Sequence, residues 1–214
     1  MTATAVREVA TPHGPARVHV QQPGSPPHGA IVLGHGAGGS VTAPDLVAVA
    51  AAAVACGIAA VLVEQPYRVA GRRSAAPAHQ LDAAWIGVLA DLRAAELAGL
   101  AVVAGGRSSG ARVACRTAAA VGAHAVLCLA FPLQPARRPP RPPAASRLGE
   151  LEAVTVPVLV VQGVRDAFGM PPADPAAARE VVPVPGDHAL RTTAPVVAAV
   201  VAWAERVLPG LAPG

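Results

Sequence analysis

Leu100-Ala-Val-Val-Ala-Gly-Gly-Arg-Ser-Ser-Gly-Ala-Arg-Val-Ala-Cys115 carries an apolar run, a glycine-flanked serine and a helix-compatible stretch in immediate succession. Residues 100–104 read as a buried strand and 110–121 as a helix. Between them Gly106-Arg-Ser-Ser-Gly110 must turn the chain sharply. Such a turn lifts Ser108 clear of the sheet at the positive end of the helix dipole, where a developing oxyanion is stabilised. The glycines suit a turn with no room for a Cβ beside neighbouring backbone. They also choose between the two serines: with Ser109 at the apex the small positions would fall on Arg107 and Ala111, and an arginine cannot fill one. Ser108 is therefore the candidate nucleophile.

Two more segments fit the same chemistry. Ala30-Ile-Val-Leu33 is a strand pattern running into Gly34-His-Gly-Ala-Gly-Gly39, a loop able to aim backbone NH groups at a carbonyl oxygen. The expected oxyanion hole is the Ser109 NH with an NH from Gly36 or Ala37, Ala37 preferred. Downstream, the strand pattern 156–162 is followed by Asp166, and the shorter one at 180–184 by His188. A serine, an aspartate and a histidine, each just past a strand, are the parts of an acyl-transfer relay. In it Ser108 attacks, His188 takes and returns the proton, and Asp166 holds the imidazole tautomer. Asp187 is a rival acid, but adjacent residues in an extended or turn segment direct their side chains apart. Asp174 has no strand before it, and His35, the alternative base, is expected to support its glycine loop. Substrate-facing candidates are His35, Tyr67, Phe131, Leu133 and Phe168.

The set Gly34–Gly39, Gln65-Pro-Tyr-Arg-Val-Ala-Gly-Arg-Arg73, Gly105–Arg112, Gln162-Gly-Val-Arg-Asp-Ala-Phe-Gly169 and Gly186-Asp-His-Ala-Leu190 resembles the dienelactone-hydrolase-like α/β-hydrolases. More narrowly it is similar to a small group sharing a hydrolase-like domain with a subunit of the non-specific-lethal chromatin complex and its testis-expressed relative. The resemblance spans roughly residues 30–208 and implies the fold and the triad Ser108, Asp166, His188, without implying a substrate. One departure is Ser109, where that group commonly has methionine. Only the NH is required there.

With 214 residues the chain is expected to form one domain with a substantial core. Cys56, Cys115 and Cys128 all lie in apolar patterns and read as buried thiols of a reducing compartment. The amino terminus has no apolar core of signal-peptide length, so a cytoplasmic location is expected. The net charge of +4 comes from arginine, since there is no lysine. Nucleic-acid binding is not expected: aromatics make up only 2%, and the arginines are dispersed except at Arg72-Arg73 and Arg137-Arg-Pro-Pro-Arg141. The uncharged stretch 46–63 is long enough to cross a bilayer, yet it is mostly alanine and Gly57 divides it. A helix over 43–56 and a strand over 58–63 are expected instead, and no membrane partner. His13, His19, His28, His79 and His124 show no metal-like spacing, so neither metal nor organic cofactor is assigned.

Along the chain, an opening antiparallel hairpin (7–10 with 16–20) precedes a strand at 30–33. Strand and helix then alternate: helix 43–56, strand 58–63, helix 79–97, strand 100–104, helix 110–121, strands 123–130, 156–162 and 180–184, and a closing helix 194–208. This predicts an α/β-hydrolase fold, a mostly parallel sheet of about seven or eight strands with helices on both faces and little or no lid. The stripe Leu81, Trp85, Val88, Leu89, Leu92 makes Trp85 a core residue, as Trp203 is. Residues 131–150, rich in proline and arginine, read as an exposed loop or a short lid over Ser108. The function expected is hydrolysis of a small to medium ester, lactone or thioester through an acyl-enzyme, by a monomer or homodimer. The alternative is an idle scaffold of the same fold that binds a partner protein.

Overall fold

The structure is a computed structural model, described here for residues 4–135 and 145–208. Five strands consist almost wholly of buried residues: β3 (Ala30–Gly34), β4 (Ala59–Glu64), β5 (Val102–Arg107), β6 (Ala125–Leu129) and β7 (Val158–Gly163). Continuous apolar runs suit strands covered on both faces. They form the parallel centre of one eight-stranded sheet of order β1-β2-β4-β3-β5-β6-β7-β8. At one edge the hairpin β1 (Thr4–Val9) and β2 (Ala16–Gln21) pairs antiparallel, and β2 alternates buried and half-buried residues as a one-sided strand must. At the other edge β8 (Arg179–Val184) pairs parallel with β7; its Pro183 is tolerated because an edge strand leaves one side unpaired.

Helices cover the two faces as two separate cores. On one lie α3 (Ala78–Ala94) and α4 (Ser109–Thr117), packing Leu81, Trp85 and Val113 against the even-numbered residues of β5. On the other lie α1 (Pro44–Ala55) and α6 (Thr193–Val207), with Leu46, Val49 and Trp203. Both tryptophans are fully buried. The uncharged stretch 46–63 divides at Gly57, whose φ of +79° suits a glycine. There the Gly57 NH donates to the Val54 carbonyl and the Ile58 NH to that of Ala53, closing α1 and launching β4. Among the described residues no helix is long and apolar enough to cross a membrane.

The expected elements are present, with shifts that have physical causes. β5 runs on to Arg107, three residues past the end of its apolar run, because Gly105, Gly106 and Arg107 pair with Leu127, Cys128 and Leu129 of β6. Glycine has poor intrinsic strand preference, and pairing overrides it. The helix expected over 110–121 is α-helical only to Thr117, then turns to Gly122 at φ +58°. Two short helices were not expected, α2 (Pro66–Val69) and α5 (Leu148–Glu152), each too short for a periodic signal. Whether residues 131–150 cover Ser108 turns on 136–144, which lie outside the described residues.

Candidate active site

Three glycines set how the serine is presented. A Cβ on Gly106 would lie 2.5 Å from the Gly34 carbonyl oxygen and 2.8 Å from the Gly110 carbonyl carbon. One on Gly110 would run into that same Gly34 carbonyl, 2.6 Å from its carbon. β3, β5 and the first turn of α4 thus meet backbone to backbone, closer than any side chain permits. Ser108, between them, has φ +53° and ψ −107°, a conformation that costs a non-glycine residue about 1–3 kcal/mol. Its NH is anchored to the Leu129 carbonyl at 2.9 Å.

From that apex the Ser108 Oγ–H donates to His188 Nε2 at 2.9 Å, and His188 Nδ1–H donates to Asp166 Oδ2 at 2.8 Å. The carboxylate, an acceptor only, fixes the tautomer and leaves Nε2 free to accept. The Asp166 side chain is fully buried and held on both oxygens. Oδ1 accepts from the Phe168 NH at 2.9 Å, and Oδ2 also accepts from Gln162 Nε2 at 2.8 Å. The Phe168 ring lies 4.5 Å from that of His188, centroid to centroid. Gly163 brings the loops together: its Cβ would stand 2.5 Å from the Asp187 carbonyl oxygen.

Neither rival acid reaches His188. Asp187 turns out to solvent and accepts from the Ala189 NH at 2.9 Å, a bond that holds its carboxyl below the usual range. Asp174 caps the 3-10 turn Pro175–Ala177 and pairs with Arg179 at 3.5 Å.

Across from Ser108 lies the glycine loop. His35, buried at the end of β3, accepts from the Gln65 NH at Nε2 (3.1 Å) and donates from Nδ1 to the Gly36 carbonyl (2.8 Å). Burial lowers its pKa, so it sits neutral. The Tyr67 hydroxyl, on α2, donates to the Ala37 carbonyl at 2.8 Å. The Gly36 carbonyl also accepts from the Gly39 NH at 3.0 Å. With that carbonyl held by His35, the trans peptide turns the Ala37 NH the opposite way. Gly36 lies against the serine: its Cβ would be 3.6 Å from Ser108 Cβ. The Ser109 NH opens α4, where no intrahelical acceptor exists.

Among the substrate-facing candidates, His35 and Tyr67 support the glycine loop and, with Ser109, Gln65 and Trp85, line a cavity of about 10 Å³ behind the turn. That is space for one water and none for an acyl chain. Phe131 is fully buried, and its carbonyl accepts from Gln162 Nε2 at 3.1 Å. Leu133 is half-buried, close to Gly169, and the Phe168 ring packs against that of His188 at a tilt of 55°. Sequence reasoning did not single out Gln162, which contacts Asp166, nor Arg107 and Asp45, whose ion pair adjoins Gly36. A polar side chain ending the apolar run Val158-Leu-Val-Val-Gln162 was the available signal for the first. Among the described residues no group of three His, Cys, Asp or Glu side chains stands at metal-holding distance.

Sheet order, helix placement and the serine turn are together those of the α/β-hydrolase class. The chain belongs to the alpha/beta hydrolase family: the profile described as "Alpha/beta hydrolase domain" matches residues 27–191. Among solved structures it is similar to an α/β serine hydrolase without lid from Xanthomonas campestris, at 22% identity and a TM-score of 0.77, over 100% of this chain and 98% of that one. It is also similar to a dienelactone hydrolase from Anabaena variabilis (18%, 0.74, 97% and 99%) and to Est1E from Butyrivibrio proteoclasticus (15%, 0.73, 94% and 98%). No curated protein matches the chain. The narrower likeness to the chromatin-complex group is not shown by these comparisons.

Proposed function

We propose that the protein is a serine hydrolase that cleaves a small to medium carboxylic ester, lactone or thioester through an acyl-enzyme. One observation carries the reading: the hydrogen-bonded chain Ser108 Oγ–H to His188 Nε2 at 2.9 Å and His188 Nδ1–H to Asp166 at 2.8 Å. In the first half-reaction Ser108 Oγ attacks the acyl carbon and its proton passes to His188 Nε2. Asp166 stabilises the imidazolium so formed. The tetrahedral oxyanion takes hydrogen bonds from the NH groups of Ser109 and Ala37, with Gly36 lining the hole. Collapse breaks the bond to the leaving oxygen or sulfur, which receives the proton from His188. Water then attacks the acyl-enzyme by the same route, releasing the acid and restoring Ser108.

The solved neighbours support the substrate class. Those neighbours include proteins described as esterases and a dienelactone hydrolase, and Est1E has also been seen with ferulic acid bound. A fluorophosphonate probe is expected to label the wild type and leave Ser108→Ala unlabelled, and p-nitrophenyl acetate to give a burst of p-nitrophenol. Equal labelling of both proteins would refute the assignment of Ser108, and no burst with no turnover on an ester panel would leave the idle scaffold as the better reading.

A further inference from the structure

We propose that Arg107, the residue before the nucleophile, is a positioning residue that ties the backbone of His188 to the serine turn and the glycine loop. This rests on the reading of Ser108 and His188 given above. As the last residue of β5, Arg107 projects, by strand alternation, to the face carrying α1 and α6, as Val103 does. On that face three loops converge. Arg107 Nη2 donates to the His188 carbonyl oxygen at 2.7 Å. Its Nε lies 2.9 Å from Asp45 Oδ2, an ion pair with the first turn of α1. Its Nη1 stands 3.4 Å from where a Cβ on Gly36 would be, against the loop opposite Ser108.

The burial of these groups makes the arrangement more than a surface contact. The Asp45 side chain is fully buried and that of Arg107 only 16% exposed. A carboxylate so desolvated needs its cation, and the cation is thereby held beside it. Asp45 holds the guanidinium by charge, without a hydrogen bond from Nε, and the guanidinium holds the His188 carbonyl through Nη2. The imidazole of His188 is fixed by Asp166 and Ser108, but its backbone lies in the turn Asp187–Leu190. No second donor reaches its carbonyl among the described residues. Arg107 thereby sets where Nε2 sits relative to a hydroxyl whose own position is fixed by the Ser108 turn. A relay of this kind tolerates little displacement, since a shift of about 1 Å can cost on the order of a hundredfold in rate.

The test is to measure kcat and KM with p-nitrophenyl acetate for wild type, Arg107→Met and Arg107→Lys, per active serine titrated with fluorophosphonate, with Ser108→Ala alongside. Titration removes any loss of folded protein, which is all a merely structural role would produce. Expected are a fall in kcat per titrated site of about tenfold or more in Arg107→Met, KM within about threefold of wild type, and partial rescue in Arg107→Lys, which can hold one acceptor but not both. A kcat per titrated site within about twofold of wild type, whatever KM does, overturns the proposal; should Arg107→Met not fold, Arg107→Lys decides by the same threshold. If Ser108→Ala keeps its burst, the serine reading itself has failed. If Ser108→Ala is inactive and the Arg107 variants turn over normally, only the positioning role is lost.

Discussion

Gln162 Nε2 donates to Asp166 Oδ2 at 2.8 Å, and the same nitrogen lies 3.1 Å from the Phe131 carbonyl and 2.9 Å from that of Gly169. A fully buried amide at the end of β7 therefore fixes the carboxylate that in turn orients His188. Replacing it with methionine is expected to lower kcat about tenfold with little change in KM. Because the buried Phe131 carbonyl and the half-buried Gly169 carbonyl, which share the amide's two protons with Asp166, lose their donor, stability should also drop by about 1–3 kcal/mol. Steady-state kinetics and urea unfolding read the two effects separately; wild-type kcat in a destabilised protein would show Gln162 to be structural only.

Asp166→Asn keeps the shape of the acid but can donate a proton where His188 Nδ1–H now donates, favouring the wrong tautomer. Turnover is expected to fall by about a thousandfold or more with the fold intact. His188→Ala should fall further, since no base remains. Circular dichroism together with ester kinetics checks both.

Gly110→Ala places a methyl against the Gly34 carbonyl. Either α4 moves off the sheet or β3 yields, at about 1–3 kcal/mol. Since Ser108 and Ser109 open that helix, labelling by fluorophosphonate should slow even in the fraction that stays folded. An unchanged denaturation midpoint would refute the close approach.

His35 gives a pH dependence of stability. Burial holds its pKa below the ordinary 6.5 in the folded protein, and protonating Nε2 would break the bond from the Gln65 NH. The unfolded chain therefore binds the proton first, so stability is full above about pH 6.5 and declines as the pH falls below it. His19, also lowered by burial, adds to the decline. Urea midpoints between pH 8 and 5 should fall with acid in the wild type and less steeply in His35→Asn, which should be less stable throughout. Parallel slopes in the two proteins would contradict this.

Several features were legible because they are local. The run 100–104, the glycines at 106 and 110 and the helix after them specify a strand-turn-helix by chain neighbours alone. Other local signs spoke only to part of the outcome. The arginines, scattered along the chain, engage carboxylates in the fold: Arg7 with Asp91 and Glu96, Arg17 with Glu8 and Glu64, Arg116 with Asp82 and Glu150. Dispersal in sequence left their partners undetermined, because each pair spans separate elements.

Local periodicity and the positions where glycine is obligatory are enough to give the alternation of strand and helix, the mostly parallel sheet it implies and the apex position of Ser108. Tertiary structure decided what meets Ser108. His188 is 80 residues further along the chain, and Asp166 lies between them, 22 residues before His188. Only the sheet order sets β5, β6, β7 and β8 side by side with their carboxyl ends together. The same holds for Arg107 with Asp45, Gln162 with Phe131, and Tyr67 with Ala37: polar contacts between distant segments have no periodicity to betray them, and come into being only when packing brings the segments within 3 Å or so.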